Sequence, residues 1–219
     1  MKYILSFLFV LMIGSVNAQK FEVSVTKEKA KIDYDGYLLK VKVIRNDSIF
    51  ETKPGDYYAW NGFLREFNLS ERVMILKKIS PFLNDFSLCS RKVYSLLPLL
   101  GEVMTKQRPF KEKRYTIAVE AMFFINWAVF SDKCRFLSTF PVLLNVKTKK
   151  VVNYNDKKSI KSLANKYRDW IKRKASGEAM RGDDMFFLIN GDIIWNGSEG
   201  LLTEDLKLIM EKYFYMGPF

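Results

Sequence analysis

The chain has 219 residues, with 36 Lys or Arg against 24 Asp or Glu, a formal net charge of +12 and no histidine. Without histidine there is no Ser-His-Asp or Cys-His nucleophilic set and no histidine-bearing zinc site, and two cysteines alone are too few for a structural zinc site. Abundant aromatics (18 Phe, 11 Tyr, 4 Trp) and the absence of low-complexity tracts exclude a disordered chain and predict a packed core.

Residues 1–18 have the three parts of a secretory signal. Lys2 supplies a positive start, residues 4–13 an apolar run broken only by Ser6, and residues 14–18 the small side chains a signal peptidase needs, with cleavage expected before Gln19. The run falls short of the roughly 20 residues of a bilayer span, which disfavours an uncleaved anchor. No cysteine stands at the cleavage point, so a bacterial lipid anchor is not indicated. The expectation is an exported protein, periplasmic or secreted. Its mature chain, 19–219, forms one globular domain or two lobes, divided into a β-meander (19–66), a helical middle (67–135) and an α/β part (136–219).

In an oxidising compartment Cys89 and Cys134 are expected to pair as a disulfide, closing a loop worth about 4 kcal/mol in the chain-entropy picture. Two buried free thiols are the alternative.

Phe21, Val23 and Val25 alternate on one face of a first strand, and Lys27-Glu28-Lys29 is read as a turn. A short second strand at 31–34 and a turn at Asp35-Gly36 follow. Tyr37, Leu39, Val41 and Val43 alternate in the next strand, and Arg45-Asn46-Asp47 turns into 48–51. Asn68 and Glu71 have capping-box spacing at the head of a helix that Pro81 ends. A second helical stretch is expected over 88–105, kinked or restarted at Pro98. Residues 115–130 are apolar almost all round, and their length and three alanines predict a buried helix.

Strands are expected at 141–146 and 151–154 across Lys147-Thr148-Lys149-Lys150. A strongly amphipathic helix then puts Ile160, Leu163, Ala164, Tyr167, Trp170 and Ile171 on one face, with Asn155 or Asp156 as its cap and Gly177 just past its end. Residues 185–189 and 192–195 flank Asn190-Gly191, a hairpin signal. A last amphipathic helix starts at Thr203 with Leu206, Ile209, Met210 and Tyr213 in a stripe. The fold class is α+β: an N-terminal antiparallel β-meander, a helical middle, and a C-terminal α/β part with β-hairpins and two amphipathic helices.

The charge is uneven. Residues 145–181 hold 12 basic and 3 acidic side chains, while 182–219 hold 2 and 7. Lys157, Lys158, Lys161, Lys166, Arg168, Lys172 and Arg173 lie on the polar face of the amphipathic helix and are the candidate binding residues, suited to an anionic partner. Export disfavours nucleic acid and fits an anionic envelope component or an acidic protein. A solvated face, or one neutralised by the acidic C-terminal part, is the bland reading of the same charges.

Glu120, inside the apolar helix, is the first candidate acid, because desolvation raises a carboxylate pKa. Asp183, Asp184, Asp192 and Glu199 surround the Asn190-Gly191 hairpin. They suggest carboxylate pairs for glycan hydrolysis, with Asp184 and Glu199 the catalytic candidates, or oxygen ligands for a hard cation, but EF-hand spacing is absent. No metal site and no cofactor are expected. Ser24-Val25-Thr26-Lys27 fits S-x-x-K without its companion motifs, Arg181-Gly182-Asp183 is an adhesion tripeptide of low specificity, and Asn46, Asn68 and Asn196 head sequons. The expected function is an exported binding protein engaging an anionic partner through the basic helix, with a carboxylate-dependent hydrolase of envelope glycans as the alternative.

Overall fold

The computed structural model describes residues 20–52, 67–93, 114–130, 141–181, 184, 191–196 and 198. Strand β1 (Phe21–Lys31) pairs antiparallel with β2 (Asp35–Arg45) from Phe21 opposite Arg45 to Lys31 opposite Asp35. Strand β3 (Ser48–Glu51) pairs with the other side of β2, so the order is β1-β2-β3. Asn46 and Asp47 join β2 to β3 with φ of 46° and 66°. Positive φ at both positions makes the tight turn that matches strand twist, and Asn and Asp tolerate it.

The meander has one strand fewer than expected. Lys27-Glu28-Lys29 does not turn; it lies within β1, and the chain reverses instead at residues 32–34. Two contacts explain this. Lys27 Nζ is held by Asp85 Oδ2 at 2.6 Å and Ser87 Oγ at 3.1 Å, over the Tyr37 ring. At the true turn, the N–H groups of Asp33 and Tyr34 both donate to the Ser90 carbonyl. Gly36, read as a turn residue, sits inside β2 because a Cβ there would fall 2.7 Å from Leu88 O and 2.8 Å from Ser90 N.

Helix α1 (Leu69–Ile79) starts with the expected capping box: Glu71 N–H donates to Asn68 Oδ1 at 3.0 Å, and Asn68 N–H to Glu71 Oε2 at 2.8 Å. A 3-10 turn, Ser80–Asn84, follows at Pro81. The helix expected from residue 88 is not formed at its start. Tyr37 N–H donates to Leu88 O, Ser90 N–H to Tyr37 O, and Cys89 N–H to Tyr115 O, so these backbone groups are committed to neighbouring segments. Residues 94–105 lie outside the described residues.

Helix α2 (Ile117–Phe130) is the buried helix expected from its composition, with Ile117, Ala118, Ala121, Met122, Phe123 and Ile125 fully enclosed. The C-terminal part holds a second antiparallel sheet. Strand β4 (Leu143–Asn145) lies between β5 (Lys150–Val151) and β6 (Ile193–Trp195). Strand β5 is shorter than expected, because the chain past Val152 turns toward Asp156, the N-cap of helix α3 (Lys157–Ala175). All six expected apolar residues of α3 are buried, and Gly177 follows its C-cap with φ of 99°. Residues 185–190 and the last helix from Thr203 lie outside the described residues, and the described partner of β6 is β4. The architecture is mixed α+β.

The expected disulfide is not formed. Cys89 is a free, buried thiol, and Cys134 lies outside the described residues. Burial and the neighbouring Glu120 carboxylate push the Cys89 pKa far up, which keeps the sulfur protonated and inert.

Candidate functional site

Helix α3 is held by its apolar stripe against α1, α2 and the 3-10 turn at residues 80–84. That packing sets which side chains face solvent. At about 100° per residue, Lys157, Lys161, Arg168 and Lys172 fall within about 60° of arc, and Lys158 and Asn165 extend the band to about 100°. The band runs about 22 Å along the helix and contains no acid; Asp169, the only acid inside the helix, lies outside it.

The cations of this band are little engaged. Among the described residues, Lys158, Lys161 and Lys172 are exposed and make no ion pair. Lys157 sits 5.9 Å from the Phe86 ring centroid. Arg168 Nη1 donates to Asn165 Oδ1 at 2.8 Å, and its Nη2 meets no acceptor. The other expected binding residues stand apart. Lys166 is half-buried with its ammonium against Gly191, and Arg173 pairs with Glu178 at 3.2 Å. Asp156 is occupied by the N-cap, where hydrogen bonds from the Ser159 side chain and backbone hold its carboxyl below the usual range.

Charge on this helix is neutralised at one place that the sequence reading missed. Lys174 is buried, and its Nζ donates to Glu178 Oε1 at 2.7 Å and Ala179 O at 2.6 Å and pairs with Asp184 Oδ2 at 2.9 Å. The signal was available: 174 continues the buried stripe three residues after Ile171, and a lysine in such a stripe needs a buried acid.

The carboxylate candidates are not gathered. Asp184 is taken by Lys174 and by the Arg181 N–H at 2.8 Å. Asp192 is exposed and pairs with Lys147 at 3.1 Å. Asp183 and Glu199 lie outside the described residues. Among the described residues no group of three or more metal-ligating side chains occurs. Ser24 and Lys27 of the S-x-x-K match are strand residues of β1, and Asn68 is the α1 cap.

Glu120 is 1% exposed. Its Oε2 accepts the Leu39 N–H at 3.2 Å, and among the described residues its Oε1 has no hydrogen-bond partner. Burial raises its pKa to about 7, although the Arg91 guanidinium, the Leu39 N–H and the Cys89 thiol favour the charged form. A proton held near neutrality could serve acid chemistry, but the group is enclosed in the core and engaged with a strand amide.

No family model, curated protein or solved structure matches this chain. Among the described residues, no helix is long and apolar enough to cross a membrane.

Proposed function

We propose that this is an exported binding protein, acting in the cell envelope or after secretion, that captures an anionic partner on the outward face of α3. The observation that carries the reading is the acid-free band of Lys157, Lys158, Lys161, Arg168 and Lys172, with three of its lysines exposed and without ion pairs among the described residues. Two further points support it. The apolar side of α3 is consumed by the core, so the helix has no face left to insert into lipid, and contact with an anionic envelope component or acidic protein is electrostatic. Lysines supply point charges without the forked geometry of arginine, which suits an extended polyanion better than one bidentate group. The signal-like residues 1–18 support the compartment.

The test is retention of the protein on an acidic polysaccharide matrix and capture from envelope extract, at low and high salt, beside a Lys158→Glu/Lys161→Glu/Lys172→Glu variant. Retention should fall steeply with salt and be lost by the variant, whose unchanged unfolding midpoint would show that the core is intact. Equal retention of the two proteins would remove the basic face from the function.

A further inference from the structure

Among the described residues, strand β1 lies at the edge of its sheet and pairs with β2 alone. The register fixes which of its backbone groups are used. Asn46 N–H donates to Lys20 O at 3.0 Å. Because antiparallel pairs alternate, residues 22, 24, 26, 28 and 30 turn their N–H and C=O toward β2, while Phe21, Val23, Val25, Lys27, Lys29 and Lys31 turn theirs outward. The central strand agrees with this phase: Tyr37, Leu39 and Val41 use their N–H groups on the side away from β1.

An eleven-residue open edge is a template for another strand, and proteins commonly guard such edges with proline, bulges or charges. Here lysines 27, 29 and 31 guard one half. The other half, residues 21–25, has no proline or glycine and turns Phe21, Val23 and Val25 to the same side. Beside it lies an open groove of about 430 Å³ with Phe21, Val23, Ile44 and Met74 as its apolar lining and Lys42 and Lys78 as its lining cations. Met74 is 45% exposed, and an unbranched thioether adapts to varied partners. The groove volume falls in the range of ordinary binding clefts.

We propose that the open edge of β1 at residues 21–25 is a strand-addition site for an extended acidic peptide. The peptide backbone would pair with Phe21, Val23 and Val25, its alternate apolar side chains would lie on the face of Phe21, Val23 and Met74, its carboxylates on the opposite face would be drawn by Lys42, and Lys78 on α1 would add to the positive field of the groove. Charge selects this occupant: the cations lining the groove are Lys42 and Lys78, and a second copy of a strongly basic chain would add positive charge beside them, whereas an acidic strand neutralises it. Glu22, the acid in the groove lining, pairs with Lys20 at 3.5 Å, and Lys42 is held only loosely by Glu51 at 3.7 Å. The open edge of β1 shares no residue with the basic face of α3.

The test is a titration of the nitrogen-15-labelled protein with a blocked heptapeptide of alternating glutamate and valine, with the lysine–valine heptapeptide as control. Hydrogen exchange at the Phe21, Val23 and Val25 amides should slow by at least about tenfold, while the amides of Glu22 and Ser24, already bonded to β2, change little. Val23→Pro removes an outward donor without touching the β2 ladder and should abolish the effect; Lys78→Glu, a solvent-exposed change, should weaken it several-fold. Absence of protection with the acidic peptide, equal protection by the lysine peptide, or retention of the effect in Val23→Pro would each overturn the proposal. Protection that depends on protein concentration without peptide would overturn it in favour of self-pairing.

Discussion

Glu120 Oε2 accepts the backbone N–H of Leu39 across 81 residues of sequence, at 3.2 Å. The contact completes one edge of β2. Along that edge the strand's outward groups are met first by β3, then by the Thr52 hydroxyl at Val41, then by Glu120 at Leu39, and last by the Leu88 and Ser90 backbone at Tyr37. Strand β3 is only four residues long, and a carboxylate from α2 stands in where a strand partner runs out. A buried amide left without an acceptor costs about 1–3 kcal/mol, so a polar residue is retained in an otherwise apolar helix.

This position sets a pH dependence. Glu120 has its pKa raised from 4.5 to about 7 by burial. The folded state therefore holds a proton that the unfolded state releases. The stabilising effect is fully present below pH 4.5 and is lost as pH rises toward 7, by about 3 kcal/mol in all. Glu120→Gln keeps an acceptor for Leu39 and cannot ionise. It should match the wild type in acid and exceed it in stability above neutrality, read as the difference between urea unfolding curves from pH 4 to 8. Glu120→Leu should be less stable than Glu120→Gln at every pH. A wild type and Glu120→Gln difference that does not vary with pH would show that the carboxyl is not protonated in the fold.

Gly36 makes a sharper steric prediction. The Leu88–Ser90 backbone presses onto β2 where a Cβ would sit within 3 Å of three backbone atoms. Backbone cannot swing aside as a side chain tip can, so Gly36→Ala should cost about 2 kcal/mol or more through forced displacement. The same strand segment should lose amide protection at Tyr37 and Ser90 ahead of the rest of the sheet. Full stability in Gly36→Ala would mean that the 88–90 segment moves away freely.

What could be read ahead of the fold was local. The α1 capping box, the α3 stripe from Ile160 to Ile171, the burial of residues 117–125 and the Asn46-Asp47 turn all follow from patterns within a few residues of chain. What could not be read depends on distant partners. Lys27 stays in a strand because Asp85 and Ser87 receive its ammonium, Leu88 and Cys89 leave the helical path because Tyr37 and Tyr115 bond their backbone, and Gly36 is a close-approach glycine because another segment lies over it. The candidate site divides in the same way. The basic band follows from helical spacing, whereas the roles of Glu120, Lys174 and Asp184 emerge only with the contacts that enclose them.

Lys174 and Asp184 should show the asymmetry of a buried ion pair. Removing one partner leaves the other charge enclosed, so Lys174→Met should cost about 3 kcal/mol. The pair of changes Lys174→Met/Asp184→Leu removes both enclosed charges, leaves the half-exposed Glu178 to Arg173, and should recover most of that loss. Thermal unfolding of the single and double variants measures it, with limited proteolysis near residues 178–184 as a local readout. A double variant no better than the single would place the cost in lost packing.

The polar chain through the C-terminal core supplies the last test. Trp195 Nε1 donates to Tyr167 Oη at 2.7 Å, and Tyr167 Oη donates to Asn126 Oδ1 at 2.6 Å, tying β6 to α3 and α2. One hydroxyl thus satisfies two buried groups, while among the described residues Asn126 Nδ2 has no hydrogen-bond partner. Tyr167→Phe keeps the ring packing but strands the indole N–H and the amide oxygen together, and should cost about 2 kcal/mol. Adding Asn126→Leu removes one stranded acceptor and the unpartnered Nδ2 at once, so the double variant should regain stability relative to Tyr167→Phe. Equilibrium denaturation followed by tryptophan emission reads both effects. A double variant that falls below Tyr167→Phe would show that Asn126 contributes to the core by more than its bond to Tyr167.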